Sequence, residues 1–312
     1  TRMTPYKRIL LGLSVADVIA SLTWALSPFL VPASSSQRVW AHGNDATCTL
    51  LGFLSQLSFI AIWYNGMLSY YYLLTVRYRV SATTFASRYE PWVHVLSIGY
   101  NLIAGIVGVS KGYYSEMELS QGCFIAEYPE GCEINGGCTG ALIGWIVAGA
   151  PALFAFGSIL VNNAVIYYHV KRTTHRTIEK SFQGRVHQNR RIQAVATQAF
   201  LYVGTFLVAY LWMFTIRVAE SMGVQASDEA KIYPLLVLSS IFLPLQGVLN
   251  LLVYSRPNYL RVRNMYPKES RFFALKQVWF TNNESKFSSG DAGTLKSRNA
   301  NISTVSTTGA IV

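Results

Sequence analysis

The sequence predicts an all-α membrane protein, a bundle of six spanning helices. Three observations carry that expectation. The chain is 51% hydrophobic and only 13% charged, about half the charged share of an ordinary soluble domain. Its apolar residues gather into six segments, each long enough to cross a bilayer. Its basic residues, which give a net charge of +11, lie almost entirely between those segments. Basic residues on a polar domain would point to nucleic acid, whereas basic residues confined to the connections between apolar runs point to membrane topology.

In order, the spans are residues 9–31, 47–76, 91–110, 140–170, 194–216 and 232–254. About 20 mostly apolar residues are needed to cross the hydrocarbon core. Lipid offers the backbone no partners, so each span must be a helix that satisfies its own hydrogen bonds. Pro28, Pro151 and Pro244 fall inside spans, where proline is better tolerated than in soluble helices. The opening TRMTPYKR is polar and the apolar run after it is too long for a signal-peptide core. The chain also begins with Thr1, which is expected of a start inside a longer gene product.

Placing the N-terminal tail, residues 77–90, residues 171–191 and everything after 255 on one side gives that side 22 of the 26 Lys and Arg. The other side holds Arg38, Lys111, Arg217 and Lys231, with 9 of the 15 Asp and Glu. By the positive-inside rule the basic side is cytoplasmic, C-terminal tail included. The expected location is the plasma membrane, crossed several times.

All four cysteines test that orientation. Cys48 begins the second span on the outer side, and Cys123, Cys132 and Cys138 occupy the acidic outer loop. Every thiol therefore faces the oxidising compartment, where disulfides persist. Four cysteines allow three connectivities, and the residues alone leave all three open.

Residues 171–191, KRTTHRTIEKSFQGRVHQNRR, form a basic connection with spaced apolar residues. Such a stretch can lie beside anionic lipid, each basic residue adding on the order of 1 kcal/mol, or dock a cytosolic partner. Beyond Tyr266 the chain turns polar and rich in Ser and Thr, so residues 267–312 read as a disordered cytoplasmic tail. The sequons at Asn283 and Asn301 then face the cytosol, where phosphorylation is the more plausible modification.

Ionisable groups inside a span are costly and usually face the bundle interior. Asp17 is the one acidic residue within the six spans. It lies about 13 Å in from Arg8, and Asn250 about 9 Å in from Arg256, at 1.5 Å per residue. A carboxylate and an amide at matching depth can share a hydrogen-bond network, a water cluster or a small monovalent cation, or simply hold helices together. Arg77 ends the second span, either as a topology anchor or as a functional cation. Trp145, Tyr210 and Trp212 lie in outer halves of spans, where aromatics face lipid or line a cavity.

Taken together, these residues resemble the seven-transmembrane G-protein-coupled receptors. LSVAD, ending at Asp17 and preceded by TPYKR, resembles the family's first cytoplasmic loop entering its second helix. NLLVY, Asn250 to Tyr254, is similar to the Asn-Pro-x-x-Tyr motif of the seventh helix. The basic SRPNYLRVR resembles the short membrane-lying eighth helix, expected at residues 257–266. Cys48 with a partner in the following outer loop is similar to the family's disulfide, which implies Cys48–Cys123 and leaves Cys132 with Cys138. The likeness covers residues 3–266. It implies that the six spans are helices two to seven, and that the first helix precedes Thr1.

The sequence also departs from the rhodopsin-like pattern. Leu251 stands where the motif has proline, and the span around Trp212 has neither a Cys-Trp-x-Pro kink nor any proline. Val76-Arg77-Tyr78 stands in place of Asp/Glu-Arg-Tyr, and Arg77 lies 29 residues after Cys48, farther than that spacing. Cys123-Phe124 is similar to the outer-loop Cys-Trp of secretin-like receptors, and LQGVLNLLVY to the cyclic-AMP-receptor-like group.

The resemblance implies a receptor that passes extracellular ligand binding to a heterotrimeric G protein. Arg77, Tyr78, Lys171, Arg172, Arg190 and Arg191 would face the G protein, Asp17, Asn250 and Tyr254 would form the switch network, and Trp145, Tyr210 and Trp212 would contact ligand. Partners are then a ligand, a G protein and membrane lipid, with no nucleic acid and no cofactor. A retinal receptor would need a Lys in the middle of the last span, and Lys231 lies at its outer mouth. The alternative is a six-span transporter or channel. No span has the every-third-residue Arg of a voltage sensor, and none shows the paired Asp, Ser-His or H-E-x-x-H of a membrane hydrolase, so no enzyme is expected.

Overall fold

The computed structural model describes residues 3–33, 40–117, 122–125, 139–178, 183–222 and 229–280. These form α1 (Pro5–Leu30), α2 (Asp45–Val76), the short α3 (Ala82–Arg88), α4 (Glu90–Lys111) and α5, which opens at Gly140–Gly144 and runs on as Ala150–Ile178. There follow α6 (Gln183–Ser221), α7 (Glu229–Met265) and α8 (Arg271–Phe280). Six of them, α1, α2, α4, α5, α6 and α7, are long and apolar enough to cross a membrane. The protein is an all-α membrane bundle. By its contacts the chain divides into two compact units, Thr1–Val253 and Tyr254–Val312.

Within the first unit α2 is the central helix, packed against α1, α4, α5 and α6. Its start is fixed by a capping box in which Asn44 accepts from the Thr47 N–H and Thr47 accepts from the Asn44 N–H, pairing two donors a helix start otherwise leaves open. α1 starts with Thr4 as cap and Pro5 at its first position, where proline's missing N–H costs nothing. After α2, Arg79 takes a left-handed φ of 54°, and the turn lets the Val80 N–H reach the Leu74 carbonyl at 3.1 Å. The bundle interior at the basic end is aromatic: Phe85 of α3 meets Tyr71 edge-on at 4.8 Å and stacks on Tyr89 at 5.7 Å. Two spans carry a π turn, Val95–Gly99 in α4 and Trp145–Gly149 in α5, each widening the helix by one residue and re-aiming the side chains beyond it.

The opposite end is closed by a two-stranded antiparallel hairpin, β1 (Tyr114–Glu116) and β2 (Cys123–Ile125), with Glu116 opposite Cys123. Cys123 is bonded to Cys48 at the start of α2, 75 residues away. Closing a loop of that length stabilises by about 4 kcal/mol in the chain-entropy account, an upper bound for helices already confined by lipid. Tyr114 lies in a notch that only glycine leaves open. A Cβ on Gly52 or Gly108 would come within 2.5 Å of its ring atoms. Burial pushes the Tyr114 phenol up to about 12, so it stays neutral at physiological pH. Of the two expected disulfides, Cys48–Cys123 is present, and Cys132 and Cys138 lie outside the described residues.

Three expectations require correction. The connection 171–191 is largely helical, since α5 runs to Ile178 and α6 begins at Gln183; Lys, Arg and Gln are good helix formers where the helix leaves lipid. No separate amphipathic helix occupies 257–266, because α7 continues unbroken to Met265. It stops before Pro267, which disfavours helical geometry in the residue preceding it. The separate short helix is α8, within residues read as disordered tail, where Ser270 caps the Phe273 N–H at 3.1 Å. Phe273 meets Tyr266 edge-on at 5.9 Å, and Arg263 donates to the Glu269 carbonyl at 2.6 Å. The tail from Thr281 onward lies outside the described residues.

Candidate functional site

The depth argument paired Asp17 with Asn250, and the structure joins them. Asp17 of α1 is 4% exposed and Asn250 of α7 is 6% exposed. The Asn250 Nδ2 donates to Asp17 Oδ2 at 2.8 Å, while Asn250 Oδ1 accepts from the Thr205 hydroxyl of α6 at 3.3 Å. A turn further along α1, the Ser21 hydroxyl donates to the Pro244 carbonyl at 3.0 Å. The resulting polar seam links α1, α6 and α7, with Asp17 and Asn250 deeply buried and Thr205 and Ser21 half-buried. Asp17 Oδ1 is buried and has no hydrogen-bond partner among the described residues. An acceptor in that position can hold a water or a small monovalent cation. No cluster of three His, Cys, Asp or Glu side chains fit for a metal ion occurs among the described residues.

Tyr254, expected in the same network, is 41% exposed, unlike the two deeply buried members. Thr205 and Ser21 escaped sequence reading because single hydroxyl residues are common in membrane helices and nothing in their spacing marks them.

A second network lies at the basic end of the bundle, and sequence reading missed it altogether. Arg8 near the start of α1 makes a bidentate pair with Glu90 at the start of α4, Nε to Oε1 at 2.5 Å and Nη2 to Oε2 at 2.6 Å. The Arg8 Nη1 also donates to the Met3 carbonyl. The Arg8 side chain is 33% exposed and that of Glu90 8%. One helical turn along α4, His94 brings Nε2 to 3.6 Å from Glu90 Oε1, and its Nδ1 lies 2.8 Å from the Tyr64 hydroxyl of α2. The His94 ring thus bridges the Glu90 carboxylate of its own helix and the Tyr64 hydroxyl of α2. Tyr64 fits only because Gly12 faces it, since a Cβ there would lie 2.6 Å from the Tyr64 ring. Glu90 read as a loop residue, and no periodicity connects positions so far apart in the chain.

Elsewhere the expected site residues do not converge. Arg77 caps the end of α2 with its guanidinium over the Tyr78 ring at 5.5 Å, and it forms no ion pair among the described residues. Tyr78, Lys171 and Arg172 are exposed, while the helical Arg190 and Arg191 have side chains outside the described set. Tyr210 is buried beside Phe206 at 4.9 Å. Trp212, two residues on, stacks on Phe242 at 6.2 Å instead. Two positions on a helix are separated by about 200°, so the pair does not line one surface. Trp145 lies half-buried over Gly149, in its own π turn.

Fold and site together define a multi-pass helical membrane protein with a buried carboxylate–amide seam and a charged clamp at its basic end. No family model matches the chain, and no curated protein matches it at a significant level.

Proposed function

We propose that this protein is a receptor of the seven-transmembrane G-protein-coupled class, carrying helices two to seven in α1, α2, α4, α5, α6 and α7, with the basic end and the tail in the cytosol and the bundle in the plasma membrane. The observation that carries the reading is the hydrogen bond between Asn250 and Asp17 at 2.8 Å. It joins the two residues through which the chain most resembles that family. The Cys48–Cys123 bond supports the same register. An extracellular ligand would bias the bundle between two packings, with the Asp17–Asn250–Thr205 seam as the polar element that repacks and a monovalent cation or water at Asp17 Oδ1. Arg77, Tyr78, Lys171, Arg172, Arg190 and Arg191 would form the G-protein surface.

The test is basal exchange of a slowly hydrolysed GTP analogue in membranes co-expressing the protein with heterotrimeric G proteins. Exchange above mock-transfected membranes is expected. Asp17→Asn and Asn250→Ala should each lower it about fivefold or more, the scale of a typical coupling free energy. Ion flux through the protein with no nucleotide exchange would overturn the receptor reading in favour of a six-span transporter or channel.

A further inference from the structure

Between α2, α5 and α6 lies a small, partly open void with mostly apolar walls, among them Leu68, Ile159 and Phe206. It has room for about one water molecule. Two polar side chains of α2, Asn65 and Ser69, also line it, and their spacing of one helical turn puts them on one face. Asn163 of α5 reaches Ser69 from across the helix pair, its Nδ2 donating to Ser69 Oγ at 3.0 Å and to the Ile159 carbonyl at 2.8 Å. All three residues are more than nine-tenths buried.

Each of the three has one polar group left over. Asn65 donates its amide to the Ala61 carbonyl at 2.9 Å, which leaves its side-chain oxygen without a donor among the described residues. Asn163 Oδ1 is buried with no partner among the described residues. Ser69 Oγ accepts from Asn163, so its hydroxyl hydrogen still needs an acceptor. Of the three, Asn65 and Ser69 line the void, so it is offered one acceptor and one donor. Buried polar groups left this way each cost about 1–3 kcal/mol, and native interiors resolve them with an ordered water making two to four hydrogen bonds. An apolar occupant would satisfy neither.

We infer that this void is a binding site for a structural water, held by Asn65 and Ser69, which extends the Asn163–Ser69 contact between α2 and α5 to Asn65. The water donates to the Asn65 side-chain oxygen and accepts from the Ser69 hydroxyl. The site is separate from the Asp17–Asn250 seam and independent of the receptor reading.

X-ray radiolytic hydroxyl labelling of the full chain in lipid nanodiscs, read by mass spectrometry, tests this. Radicals form from water, so a buried side chain is labelled quickly only where water lies beside it. Tyr72 and Phe206, which wall the void, should label at least about fivefold faster in the unaltered protein than in Ala199→Leu, which projects into the void from α6. Tyr64, equally buried but away from the void, should label at the same rate in both. If that variant lacks a cooperative thermal transition, Ala199→Val serves in its place. Labelling of Tyr72 and Phe206 that stays fast in the filled variant would mark transient opening to bulk solvent and overturn the proposal. So would labelling that is slow in both.

Discussion

Arg8 and Asp17 lie nine residues apart on α1, and each ties that helix to a distant part of the chain, but by different means. Arg8 meets a full opposite charge through two short hydrogen bonds while keeping a third of its side chain in contact with solvent. Asp17 meets a neutral amide and a hydroxyl-linked helix with almost no solvent at all. Arg8 can fall back on water if Glu90 loses its charge, so the net contribution of that charge is small and screened by salt. The seam has no such recourse, and an unpaired buried polar group bears the full desolvation penalty. The bundle therefore places its tolerant contact at the water boundary and its intolerant one inside.

That contrast can be broken most directly at Asn250. Asn250→Leu leaves the Asp17 oxygens without their donor and should destabilise the bundle by about 2–4 kcal/mol, measured as a fall in Tm in detergent that 0.5 M salt, which shortens the screening length to roughly half its value at 0.15 M, does not change. A salt-dependent loss would show that the seam is wetter than its burial implies. Next in size, Gly12→Val drives a side chain into the Tyr64 ring and should cost about 1–3 kcal/mol. It also separates Tyr64 from His94, so a tyrosine fluorescence change should accompany the fall in Tm. The smallest effect is expected for Glu90→Gln, which keeps the shape and removes the charge. Its modest loss of Tm should shrink further as salt rises; a loss matching that of Asn250→Leu would erase the distinction between the two networks.

The spans were legible because period and length in an apolar run answer only to lipid thickness. The Asp17–Asn250 contact was legible because a lone carboxylate in lipid demands a partner and depth restricts the choice. Helix ends were read less well. The unbroken passage of α7 through Pro257 and the helical content of residues 171–191 depend on what surrounds the chain once it leaves lipid, which hydropathy does not encode. The Arg8–Glu90–His94–Tyr64 network was invisible because it joins three elements by geometry, with no shared motif. The aromatic candidates failed to converge because Tyr210 and Trp212 differ by two positions on a helix, and sequence depth carries no angular information between helices.

One dimension of α6 has a mechanical meaning. Its 39 residues span about 58 Å at 1.5 Å per residue, nearly twice the roughly 30 Å hydrocarbon thickness. Thr205, which bonds Asn250, stands 22 positions from Gln183 at the basic end, an arm of about 33 Å. A tilt of about 5° with Thr205 as fulcrum carries the far end about 3 Å on that arm. A rearrangement too small to disturb close packing around the fulcrum is thus magnified at the tip of the lever.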